Sequence, residues 1–105
     1  MFESIKKLFG IKETNFSQLV AEGAIILDVR TSSEYSSGHI KGSVNIPVDK
    51  LASNLNKLKA KDKPIITCCA SGMRSASAKS ILASKGYTNV HNGGAWQLLN
   101  MKINN

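Results

Sequence analysis

One seven-residue run, Cys69-Ala70-Ser71-Gly72-Met73-Arg74-Ser75, concentrates the chemistry of this sequence. A cysteine ends a stretch of strand-forming residues, three small residues follow it, and a helix is expected to open near Arg74 or Ser75. A tight turn through Gly72 lets successive backbone N–H groups point inward and form a nest for an anion. The new helix adds its free N–H groups and the positive end of its dipole at the same place. A thiol held there falls below its free pKa of ~8.5 and is largely thiolate near neutral pH. Arg74 contributes a fixed positive charge. A nucleophile and an anion seat therefore coincide at Cys69 and the turn that follows it.

The pair Cys68-Cys69 also has a plain structural reading, because free cysteine is often a small buried hydrophobe. That reading suits Cys68. Successive side chains in a strand face opposite ways, so only one of the two reaches the cavity beyond the strand end. The glycine turn, the arginine and the helix start select Cys69. Two histidines, His39 and His91, stand 52 positions apart and make a poor metal site. No metal and no cofactor is expected.

The elements that position this loop are legible from periodicity. A short strand at Ile11–Glu13 precedes a helix near Phe16–Glu22, capped by Thr14 or Asn15 and closed by Gly23. Ala24–Val29 is a continuous apolar run, which suggests a strand covered on both faces in a parallel sheet. Thr31 or Ser32 caps a short helical turn with Glu34 in its first turn, ended by Gly38. Ser43–Ile46 is a second short strand, stopped by Pro47. Leu51, Leu55 and Leu58 predict a helix from Asp49 or Lys50 to about Leu58. Ile65–Cys69 is the third buried strand, followed by a helix over Ser75–Ser84, a last strand at Asn89–His91, and a helix from about Ala95. Alternating short strands and amphipathic helices predict an α/β domain with a mainly parallel sheet. Ligands of such sheets bind beyond the carboxyl ends of the strands, which is where the Cys69 loop lies.

Composition bounds the rest. At 105 residues the chain has room for one domain and one real core. It divides into an amphipathic leader over residues 1–10, expected to pack as a short helix, and a domain over residues 11–105. No apolar stretch approaches the ~20 residues of a membrane span, and nothing resembles a secretory signal. The net charge is +7, but 12 of the 14 cations are lysine, and the run Lys57, Lys59, Lys61, Lys63 has no interleaved aromatic residue. That pattern describes a solvated face rather than a nucleic-acid site. A cytoplasmic monomer with reduced thiols is expected.

The motifs together resemble those of single-domain rhodanese-like sulfurtransferases. Asp28-Val29-Arg30 with Glu34, then Gly38-His39-Ile40-Lys41-Gly42-Ser43, Asn45-Ile46-Pro47, the Cys69 loop, and Gly93-Gly94 before Trp96 occur in family order from about Ile11 to Leu99. The resemblance implies a three-layer α/β fold with a central, mainly parallel five-stranded sheet flanked by helices. It also implies a chemistry. In rhodanese-like enzymes the cysteine takes a sulfane sulfur from thiosulfate or a persulfide donor, holds it as Cys–S–S⁻, and passes it to cyanide or another thiophile. Carried over, Cys69 is the persulfide carrier and the backbone amides of Ala70 to Arg74 stabilise its terminal sulfur. Arg74 binds the anionic donor or stabilises the leaving sulfite. Asp28, Arg30 and Glu34 fix the turn after their strand, His39 is a hydrogen-bonded fixture, and Trp96 is core.

Loop length separates this chain from the related cysteine phosphatases. Those use Cys-x5-Arg, whereas four residues stand between Cys69 and Arg74 here. The smaller cradle suits one sulfur atom better than a tetrahedral oxyanion. Many active family members carry Arg directly after the cysteine, where this chain has Ala70. With a single loop cation, affinity for the thiosulfate dianion is expected to be modest, and a protein-bound or low-molecular-weight persulfide is a candidate donor. The acceptor is a thiophile, which includes a protein. The second reading, from a different class, is a non-catalytic or partner-dependent sulfur-relay or interaction module; retention of Cys69, Gly72 and Arg74 favours the enzyme.

Overall fold

Ile25–Asp28 (β1) and Ile65–Cys69 (β3) pair in parallel at the centre of a sheet, with Val44–Asn45 (β2) outside β1 and Val90–Ala95 (β4) outside β3. The computed structural model describes residues 14–104. Within that range the sheet has four strands, in the order β2-β1-β3-β4, and all pair in parallel. The strand expected at Ile11–Glu13, which would bring the count to the family's five, lies outside the described residues, as does the leader.

The two central strands are apolar on both faces because helices cover both. Leu27, Val29, Ile65 and Cys69 point into a core completed by Leu51, Leu58, Ala78, Leu82 and Tyr87. Ile26, Ile66 and Cys68 point the other way, into a core with Ile40 and Leu99. The alternation along β3 therefore sends the two cysteines to opposite layers, as the period of two requires. The first layer is built by Met73–Ser84 (α3) and two 3₁₀ turns, Val48–Ser53 and Leu55–Lys57. The second is built by Phe16–Ala21 (α1) and Trp96–Ile103 (α4). A short helix, Ser32–Ser36 (α2), follows β1.

Three elements differ from expectation. The helix expected up to Leu58 is instead the pair of 3₁₀ turns, interrupted at Asn54 (φ −128°). The Asn54 amide donates to the Lys50 carbonyl at 2.7 Å, and the Ser53 hydroxyl to the same oxygen at 3.3 Å. Polar side chains thus compete for the backbone acceptor an α-helix would use. The leucine spacing still places Leu51 and Leu58 in the core. Helix α3 starts at Met73 rather than Ser75, because Gly72 adopts a left-handed φ of +106° and turns the chain at once. Strand β4 extends through Gly93-Gly94 to Ala95, with its register to β3 shifting between Thr67 and Cys69. Gly93 is required there: a Cβ would lie 2.8 Å from Ile66 Cγ2, Leu99 Cδ2 and the Thr67 carbonyl oxygen.

Candidate active site

Cys69 is the last residue of β3, and the chain reverses immediately through Gly72 into α3. The reversal folds the loop back over the sulfur. Gly72 N–H donates to Cys69 Sγ at 2.9 Å and Ser75 N–H donates to it at 3.3 Å. The Ser75 hydroxyl oxygen lies 3.5 Å from the sulfur. Burial alone would raise the Cys69 pKa. The Ser75 hydroxyl and the amides of Ser75, Gly72 and Ser71 outweigh it, and the thiol falls below its ordinary value. Cys68 has no such partners. Burial, with the Asp28 carboxylate nearby, pushes its thiol up to about 12. Two adjacent thiols are thus driven in opposite directions by what surrounds them.

Ser75 is itself held from behind. Its hydroxyl lies 2.9 Å from the Gly72 carbonyl and 2.7 Å from Asn92 Oδ1, so two oxygen acceptors share its proton, and the sulfur, a donor to Ser75 Oγ as a thiol, competes for it once deprotonated. Asn92 Oδ1 also accepts from Gly94 N–H at 2.9 Å, where β4 changes register beside the loop. Such irregularities often re-aim a side chain next to a site. Beneath it, the Thr67 hydroxyl donates to the Ser75 carbonyl at 2.9 Å.

The remaining expected seat residues divide. Ala70 and Ser71 are exposed on the loop, and Met73 is 79% exposed at its outer edge. Arg74 forms a two-pronged ion pair with Glu34, Nη1 to Oε1 at 2.7 Å and Nη2 to Oε2 at 3.0 Å. Glu34 is fixed in turn by α2, where the Thr31 N–H donates to its carboxylate and the Thr31 hydroxyl caps the Glu34 N–H. The Arg74 guanidinium, followed by Thr31 N–H, holds the Glu34 carboxyl down at about 2.

The turn after β1 carries the expected ion pair. Arg30 Nη2 donates to Asp28 Oδ2 at 2.7 Å with both side chains buried, and also to the Gly38 carbonyl at 2.7 Å. Its guanidinium sits 4.7 Å over the half-buried Trp96 ring. His39 Nδ1 pairs with the Tyr35 carbonyl at 2.7 Å and its ring stacks on Tyr35. His91 Nε2 pairs with Asn89 Oδ1 at 2.8 Å. Neither imidazole hydrogen-bonds to Cys69.

Sequence reasoning missed three participants. Ser75 carried a signal, since the third residue of α3 faces back toward the strand end. Asn92 carried none, because its contact with Ser75 spans 17 residues and depends on the β4 register. Glu34 was read as a turn fixture, and its bond to Arg74, 40 residues away, was invisible in sequence.

A parallel α/β domain with a thiol at a strand's carboxyl end, held by the backbone amides of Gly72 and Ser75, defines a class of cysteine-loop domains. Comparison with known proteins gives the family. The rhodanese-like domain model matches residues 13–95, and the chain belongs to that family. It is 36% identical over 69 residues to the Bacillus subtilis protein YqhL, covering 66% of this chain and 54% of that one. It is 33% identical over 69 residues to the thiosulfate sulfurtransferase PspE of Escherichia coli, covering 65% of this chain and 66% of that one. The chain thus spans about half to two thirds of the length of these curated relatives. The human single-domain sulfurtransferase TSTD1 superposes with a TM-score of 0.69 and 32% identity, covering 76% of this chain and 84% of that one. Among the described residues, no helix is long and apolar enough to cross a membrane.

Proposed function

We propose that this protein is a thiosulfate sulfurtransferase-type enzyme that moves a sulfane sulfur from thiosulfate or a persulfide to a thiophilic acceptor through a persulfide on Cys69. The observation that carries this reading is the cradle itself: two amides and a hydroxyl converge on one buried sulfur and lower its pKa. The thiolate attacks the donor's sulfane sulfur, a new S–S bond forms, and the old one breaks with its electron pair on sulfite or a thiolate. The amides that stabilise the resting thiolate then face the anionic persulfide, a fixed electrostatic field that needs no reorganisation. Ala70, Ser71, Gly72, Met73 and Arg74 line the donor's approach. The name of the relative PspE points the same way. A persulfide carrier requires no metal or cofactor. All cradle groups come from one chain, so a monomer suffices, and a reducing compartment such as the cytoplasm keeps Cys69 a thiol.

A partner-dependent relay is the second reading, favoured by the complete burial of Cys69. Intact-mass spectrometry separates the two. Incubation with thiosulfate should add one sulfur to the wild-type protein and to Cys68→Ala, and none to Cys69→Ala. Loading from a protein persulfide alone would select the relay, and absence of loading from any donor would end both.

A further inference from the structure

We propose that Glu34 is a specificity-determining residue: by clamping Arg74 it withholds the loop's cation from the donor and biases the site toward persulfides, whose reacting form R–S–SH carries no charge on its sulfurs, over the thiosulfate dianion. The inference deepens the sulfur-transfer reading and rests on it. It begins with the geometry of the pair. Both terminal nitrogens of Arg74 are engaged by both carboxylate oxygens of Glu34, at 2.7 and 3.0 Å. That fork-on-fork arrangement is the same one by which an arginine grips an oxyanion such as sulfite. Glu34 therefore occupies the Nη1/Nη2 fork, and its charge neutralises the guanidinium that a thiosulfate head would use. The carboxylate cannot easily swing away, because Thr31 pins it through a backbone N–H at 3.0 Å and its hydroxyl at 3.1 Å.

The local charges argue the same way. Cys69 as thiolate and Glu34 carry one negative charge each, and Arg74 carries one positive charge. Loop residues Ala70, Ser71, Gly72 and Met73 add none. A dianion thus approaches a site that is already net negative, and the departing sulfite leaves two charges in the same place. A persulfide transfers its sulfur with a smaller electrostatic burden. The Cys69 thiolate bonds to the terminal sulfur of R–S–SH, the donor's S–S bond breaks, and its electron pair leaves on RS⁻. RS⁻ then takes the proton from the more acidic Cys69 persulfide, leaving Cys69–S–S⁻ and R–SH. Met73, 79% exposed at the loop's edge, offers the organic R group an apolar surface that an oxyanion would not use.

The test compares initial rates of Cys69 sulfur loading, by intact mass, from thiosulfate and from the persulfide of 2-mercaptoethanol. Glu34→Gln frees Arg74 while retaining a side chain that completes the Thr31 cap. The ratio of thiosulfate to persulfide loading should rise about tenfold, the worth of one charge-assisted hydrogen bond. Glu34→Ala should move the ratio in the same direction, and Arg74→Gln placed in the Glu34→Gln background should remove the gain. If both donors load the wild type but the ratio rises less than about threefold in both Glu34 variants, or falls, the inference is wrong while sulfur transfer stands. If neither donor loads the wild type, the small-donor enzyme reading fails and takes the inference with it.

Discussion

At the scale of single residues, the site is a contest over one sulfur's proton. Burial opposes the thiolate, and the hydroxyl and amides around Cys69 favour it more strongly. The rate of sulfur loading should therefore rise with pH through a midpoint below that of an ordinary thiol. Ser75→Ala removes one hydrogen bond to a charged acceptor, and that midpoint should climb by about one pH unit. A stopped-flow pH profile reads it directly, and an unmoved midpoint would assign the shift to the amides alone. Glu34 titrates in the opposite range. Its folded pKa of about 2 lies below its ordinary 4.5, so its contribution to stability is fully present above the ordinary value and is lost as pH falls toward 2. Acid-unfolding curves of wild type and Glu34→Gln should accordingly converge across that interval. The grouping of Cys69, Gly72 and Arg74 in one loop at a strand end was legible in sequence because a turn is a local feature. Ser75, Asn92 and the second role of Glu34 were not, because side-chain partners across 17 and 40 residues are chosen by tertiary packing.

At the scale of elements, the loop keeps its shape because the strands on either side of it allow no slack. Gly93→Ala would drive a methyl into Ile66, Leu99 and the Thr67 carbonyl, all at 2.8 Å. Overpacking of this kind costs about 1–3 kcal/mol, and urea denaturation should show at least that loss. The same strand carries Asn92, so the variant should also slow sulfur loading. Asp28→Asn tests the turn after β1. It strands the Arg30 guanidinium, 4% exposed, without its charge partner, and breaking a buried pair costs about 3–5 kcal/mol. The order of strands and helices could be read from apolar runs and caps. The 3₁₀ turns before β3 could not, since Leu51, Leu55 and Leu58 give nearly the same buried stripe in either helix type. What decided it was Asn54 and Ser53 turning their side chains onto one carbonyl.

At the scale of the whole molecule, the lysine run at positions 57–63 and the candidate site lie at opposite ends of β3. The lysine run ends at Lys63, just before β3 begins, whereas Cys69 ends that strand. Five strand residues span about 17 Å, twice the ~8 Å screening length at physiological salt. Replacing Lys57, Lys59, Lys61 and Lys63 together by glutamine should therefore change the thiosulfate loading rate by less than about twofold. The back-to-back cysteines have a consequence of their own. Cys68 and Cys69 share a peptide bond yet face opposite layers of the domain. A sulfur atom parked on Cys69 consequently has no neighbouring thiol within the chain to discharge it as a disulfide. Under the proposed sulfur transfer, the protein takes on one atom of cargo, cannot unload it onto itself, and must wait for an outside acceptor before it accepts another.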